Sequence, residues 1–172
     1  MASQRGSNVI RSFRLDVSGL GLLFYSPFSA AVIRDGEDYL QREFFDPYVV
    51  EKQALEGRLV GVSTGSPGSY LLGIYSGYPE ESIAESREFK LRLGVEVRDG
   101  VLCIRDLYDL LAWRPDCPPE QMIHLDDGFY YVTLLSDRPE SGVLGDNQSI
   151  DVFLQRLQEF PSLAYNGVPT LC

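Results

Sequence analysis

Gly61-Val62-Ser63-Thr64-Gly65 fits the G-x-S-x-G pattern, in which a serine on a strained strand-to-helix turn attacks an acyl carbon with histidine as base. The residues that follow, Ser66-Pro67-Gly68, have the composition of a loop and lead into another strand-like run instead of a helix. His124 is the only histidine, and an acid such as Asp126 lies just two residues along the same segment. A strand end and a turn account for the pattern without any nucleophile. Cys117 with His124 would make a thiol nucleophile and its base. Asp116 beside it and Pro118-Pro119 after it raise the thiol pKa instead of lowering it, so Cys117 reads as structural. Asp126 and Asp127, with Asp106, Asp109 and Glu120, would offer oxygen ligands to a hard cation. A calcium loop needs a D-x-[DN]-x-[DN]-G run, which is absent, and Asp127-Gly128 reads as a turn before a strand. Gly19-Leu20-Gly21 lacks the third glycine of a dinucleotide fingerprint and no helix follows it. The expectation is a chain with no catalytic residue, no metal ligand set and no cofactor.

What remains is recognition. The chain has 172 residues and a net charge of −10, and only two of its fifteen basic residues are lysines. From Pro115 to Cys172 nine acids face only Arg138 and Arg156, a local net of −7. Such a surface repels nucleic acid and anionic membrane and attracts basic partners. Asp116, Glu120, Asp126 and Asp127 are the acids expected to meet such a partner. Tyr39, Phe44, Phe45, Asp46 and Tyr48 mix aromatics with carboxylates, the composition of a protein-binding patch. Phe44, Phe45, Asp46 and Tyr48 are therefore the candidate anchors.

The elements that must position these groups are mostly strands. Phe89, Leu91, Leu93, Val95 and Val97 alternate with polar residues and glycine, and Asp99-Gly100 supplies a type I′ turn into Val101–Ile104. Further strands are expected at Val9–Val17, Leu20–Tyr25, Leu59–Thr64, Tyr70–Ser76 and Phe129–Leu135, with Gly65–Gly68 as a hairpin loop. Ala30–Ile33 is one more short apolar run. Glu37–Glu43 suits a turn or two of helix, and Pro47 forbids a continuous helix through the segment ending at Glu56. Glu80–Arg87 has room for one helical turn, and Asp106–Trp113 has spacing nearer helix than strand. Ile150, Phe153, Leu154, Leu157 and Phe160 recur at i, i+3, i+4, i+7 and i+10, which predicts a C-terminal amphipathic helix. The fold class expected is mainly β (α+β), an antiparallel sandwich with one or two short helices. Residues 1–8 read as a loose tail and 9–172 as one domain, since a chain of this length buries roughly two-thirds of its unfolded surface.

Three cysteines without metal spacing point to a reducing compartment, and no signal peptide or apolar run of about 18 residues is visible. A cytoplasmic protein is expected.

The layout over residues 10–137 resembles the competence protein J family of nuclease inhibitors and, more broadly, immunity proteins of bacterial toxin systems. The similarity is carried by the acidic segment Asp35–Glu43, by Glu56-Gly57-Arg58-Leu59-Val60-Gly61-Val62, by the strand before Asp99-Gly100-Val101-Leu102, and by the entry Leu125-Asp126-Asp127-Gly128-Phe129-Tyr130. The resemblance implies a non-enzymatic, sandwich-like inhibitor that binds a cognate toxin and masks its active site, with no interface residue carried over. The alternative is a small-ligand or scaffold β-domain without a toxin partner.

Overall fold

The computed structural model describes residues 8–172. The tail expected for residues 1–8 lies outside these, save for Asn8, which opens the first strand. In chain order the strands are β1 (Asn8–Val17), β2 (Gly21–Tyr25), β3 (Val60–Ser63), β4 (Gly68–Ser76), β5 (Phe89–Val97), β6 (Val101–Asp106), β7 (Met122–His124), β8 (Gly128–Ser136) and β9 (Gln148–Leu157). Three short helices, α1 (Tyr39–Arg42), α2 (Pro47–Glu56) and α3 (Glu81–Ser86), interrupt them. The fold is mainly β with short helices, the α+β class expected.

The strands form two sheets, ordered β1-β4-β9-β8-β5 and β3-β2-β6-β7. Alternation places Phe13, Leu15 and Val17 of β1, Leu72 and Ile74 of β4, and Leu93 and Val95 of β5 on one inner face. Leu22 and Phe24 of β2 and Leu102 and Ile104 of β6 meet them from the other sheet. Each such fully buried side chain contributes about 1.5–3 kcal/mol, so this shared interior holds the sandwich together.

The smaller sheet is covered on both faces. Leu23 and Tyr25 of β2 and Cys103 of β6 point outward into a second cluster with Tyr39, Phe44, Val50, Leu110 and Trp113. This is why β2 is buried at all five positions and reads as a continuous apolar run. The covering layer consists of α1, α2 and the segment after β6, where a 3-10 turn spans Leu107–Leu111.

Several sequence expectations change here. The predicted C-terminal helix is β9, which pairs in parallel with β4 and antiparallel with β8. Its helical spacing arose because both faces of the strand carry apolar residues. Ile150, Val152 and Leu154 enter the main core, while Phe153 points outward and stacks on Tyr75 with ring centroids 4.9 Å apart. The α3 residues Ile83 and Ala84 cover that outer position.

The Gly65–Gly68 loop is not a hairpin, because β3 pairs with β2 while β4 pairs with β1 in the other sheet. Asp99-Gly100 makes the expected tight turn, with φ of 59° and 72°. Only the bridge Arg98–Val101 joins its arms, after which β5 and β6 part into different sheets. The apolar run Ala30–Ile33 begins on the last residue of a 3-10 turn, Pro27–Ala30, and sends Ala30 and Ile33 into the second cluster. Pro47 does not merely interrupt; it occupies the first turn of α2, where its missing N–H costs nothing.

Candidate partner-binding groove

Three segments converge at the end of the smaller sheet where β2 begins. The turn between β1 and β2 brings Leu20, the link between α1 and α2 brings Phe44 and Phe45, and the 3-10 turn after β6 brings Leu107 and Tyr108. They line a cleft of about 240 Å³. A second cleft of about 310 Å³ shares Leu20, Phe44 and Leu107 and is closed on its far side by Val168 and Thr170. Together they form one apolar groove. Phe45 is 78% exposed, Leu20 52% and Tyr108 39%, so three large apolar side chains stand beside one another in solvent. Scattered exposed apolar residues are ordinary; a contiguous set around a groove marks a binding surface.

Local chemistry fixes each wall. The Asp38 carboxylate accepts from the Gln41 N–H at 3.0 Å and starts α1. The Asp46 carboxylate accepts from the Tyr48 N–H at 2.9 Å and starts α2. Phe44 and Phe45 lie between these caps. Phe44 turns inward against Tyr39, ring centroids 5.6 Å apart, and becomes the groove floor. Burial pushes the Tyr39 phenol above its ordinary pKa, with the charge of Glu43 adding to the effect.

Tyr108 is held from below. The Asp106 carboxylate accepts from the Tyr108 N–H at 3.1 Å. The ring lies against Gly19, where a Cβ would come within 2.3 Å of it. The far wall is held by the chain beyond β9. The Ser63 N–H donates to Pro169 O at 2.8 Å, the Leu171 N–H donates to Ser63 O at 2.9 Å, and Leu171 itself enters the main core.

The surroundings are acidic. Between Asp35 and Glu56 seven carboxylates face Arg42 and Lys52. Arg42 is engaged by Glu37 at 2.9 Å and lies 3.8 Å from Glu43.

The sequence-predicted candidates do not form one cluster. Phe45, Asp46 and Tyr48 are exposed here as expected, Tyr48 at 73%, but Phe44 is only 6% exposed and cannot serve as a protruding anchor. Asp116, Glu120, Asp126 and Asp127 are exposed but lie around the β7 side and the Gly100 turn. Asp127 accepts from the Gly100 N–H at 2.7 Å, so its carboxylate has a structural task. Sequence reading missed Leu20, Leu107 and Tyr108. Leu20 follows the Ser18-Gly19 break and Tyr108 interrupts an apolar spacing, and neither signal says that the two meet.

The chemical alternatives separate in space. Ser63 and His124 sit on opposite edge strands of the smaller sheet, with β2 and β6 between them. Three strand spacings amount to about 14 Å, too far for a serine and its base. Among the described residues no three His, Cys, Asp or Glu converge as metal ligands. Cys117 instead packs against the cluster that holds Cys103 and donates its thiol to Pro118 O at 3.6 Å; interaction between the two thiols lowers the Cys103 pKa and, with burial, raises that of Cys117. No helix among the described residues is long and apolar enough to cross a membrane.

No family model matches the chain, and no curated protein matches it. Among solved structures, ComJ from Bacillus subtilis, described as the inhibitor of the DNA-degrading activity of NucA, aligns with a TM-score of 0.55 at 12% identity. The match covers 88% of this chain and 98% of ComJ. A structure described as crocagin biosynthetic gene J aligns with a TM-score of 0.52 at 11% identity, covering 86% of this chain and 97% of its own. The resemblance to competence protein J is thus met at the level of fold: this chain has a ComJ-like architecture over 88% of its length.

Proposed function

We infer that this chain is an immunity-type inhibitor, which binds a cognate basic protein toxin and occludes its active site without making or breaking bonds itself. The observation that carries this reading is the ComJ-like fold over nearly the whole chain, since ComJ is described as a nuclease inhibitor. The net charge of −10 supports it independently. Enzymes acting on anionic substrates are basic around the active site, and an acidic inhibitor is steered to that surface. Carboxylates then stand where substrate charge would lie, and the body of the sandwich blocks entry. The reading places the protein in the cytoplasm, where a producing cell needs protection from its own toxin.

The test is a titration. The product of the gene adjacent to this one is purified, its activity is assayed, and the chain is added in rising amounts. A stoichiometric end point is expected. Undiminished activity at excess chain would reject the reading, and a small molecule retained through purification would favour the ligand-binding alternative.

A further inference from the structure

Resting on the inhibitor reading, we propose that the groove between Leu20, Phe45 and Tyr108 is the docking site for a basic segment of the partner protein. That segment inserts one large apolar side chain onto the Phe44 floor, while flanking lysines or arginines meet Glu43 and Asp46.

The occupant follows from charge and shape. The groove is apolar at its centre, with Leu20, Phe44 and Leu107 common to both clefts. Interface anchors are aromatic or aliphatic side chains seated in such pockets, ringed by polar contacts that exclude water. The Phe44-Phe45 pair is bracketed by Glu43 and Asp46. Arg42, next to Glu43 in the chain, is paired with Glu37 at 2.9 Å and lies farther from Glu43, at 3.8 Å. Positive charge flanking an apolar anchor therefore complements this rim. A second copy of the chain does not, because it would bring the same carboxylates face to face and double a net charge of −10. Nucleic acid is repelled by the same rim. The chain's own end is already committed as one wall, through Pro169 O and the Leu171 N–H on Ser63.

The acids at the β7 side take a different part. Asp116, Glu120, Asp126 and Asp127 lie off the groove and contribute to long-range attraction, while the contact itself is made at the α1–α2 link.

The experiment pans a random peptide library displayed on phage against the whole chain. Enriched peptides are expected to carry a large apolar residue flanked by Lys or Arg. Binding should fall by about tenfold or more in Phe45→Ser and in Tyr108→Ser, and stay unchanged in Val9→Ser, an exposed apolar residue on β1 away from the groove. Glu43→Gln with Asp46→Asn removes rim charge while asparagine keeps the α2 cap, and should weaken the same peptides most at low salt.

Peptides that bind Phe45→Ser and Tyr108→Ser as well as the wild type would overturn the proposal, as would no enrichment at all. So would a dimer of the wild type that Phe45→Ser dissolves. The two readings part in the inhibition assay. If the wild type inhibits and Phe45→Ser inhibits equally, the groove is wrong and the inhibitor reading stands. If the wild type does not inhibit, the inhibitor reading falls and the panning alone decides the groove.

Discussion

The Asp106 carboxylate accepts both the N–H and the hydroxyl of Ser18, at 2.9 and 2.6 Å. Its other oxygen accepts the Tyr108 N–H at 3.1 Å. One 8%-exposed side chain thereby ties the β1–β2 turn, which carries Leu20, to the 3-10 turn that carries Tyr108. Two walls of the groove hang on it.

Asp106→Ala should destabilise the protein by about 1–3 kcal/mol, because three hydrogen bonds to a carboxylate, from the Ser18 N–H and hydroxyl and the Tyr108 N–H, are lost together. Urea denaturation measures this. Asp106→Asn keeps an acceptor and should cost less. A loss below a few tenths of a kcal/mol in both variants would remove this tie from the account.

Gly19 tests the opposing wall. Its backbone is not among those with positive φ, so a larger residue is tolerated conformationally, but its Cβ would meet the Tyr108 ring at 2.3 Å. Gly19→Ala should swing the half-exposed ring outward and weaken groove binding with little change in folding stability. In a Tyr108→Ser background the same substitution should cost nothing further, a non-additivity read from the double-mutant cycle.

The strand assignment of β9 has its own test. Val152 is fully buried and pairs with Ile74 and Leu134 on its two sides, whereas a helical stripe from Ile150 would leave it off the apolar face. Val152→Asp should unfold the protein or cost more than about 3 kcal/mol, since it places an unpaired charge in the sandwich core. Gln155→Asp, at an outward position, should change stability by no more than about half a kcal/mol. Similar effects of the two would contradict the observed register.

This element shows where the sequence was legible and where it was not. The alternation of Phe89–Val97 and the turn at Asp99-Gly100 were readable because one face is apolar and the other polar. Strand β9 was not, because Phe153 on its outer face finds Tyr75 and Ala84 to cover it, and two apolar faces mimic a helical stripe. Pairing partners were equally hidden. Nothing local to Gly65–Gly68 says that β4 leaves its neighbour for the other sheet and accepts β9 in parallel. At the site, Phe45, Asp46 and Tyr48 were legible as an aromatic–acidic cluster. Whether Phe44 or Phe45 turned inward depended on the second cluster, which only the fold assembles.

Alkaline titration probes both cores at once. Burial raises the phenol pKa of Tyr25, Tyr39, Tyr70, Tyr75, Tyr130 and Tyr165. A raised folded pKa stabilises the fold below the unfolded value of about 10 and loses that contribution as pH rises beyond it. Tyrosinate absorbance from these six should therefore appear together with loss of the folded circular dichroism spectrum. Full ionisation in a protein that remains folded would contradict their burial.

Electrostatic steering predicts a rate. Association with the basic partner should slow by about tenfold or more between roughly 10 and 150 mM salt, with a smaller change in dissociation, as screening shortens the reach of the acidic surface. Stopped-flow fluorescence measures both, and an association rate indifferent to salt would remove steering from the account.

The most direct measurement is a competition at equilibrium between this chain and a labelled substrate for a catalytically silenced form of the partner enzyme. Occlusion predicts mutually exclusive binding, with the chain displacing substrate one for one. A stable ternary complex of chain, partner and substrate would contradict it.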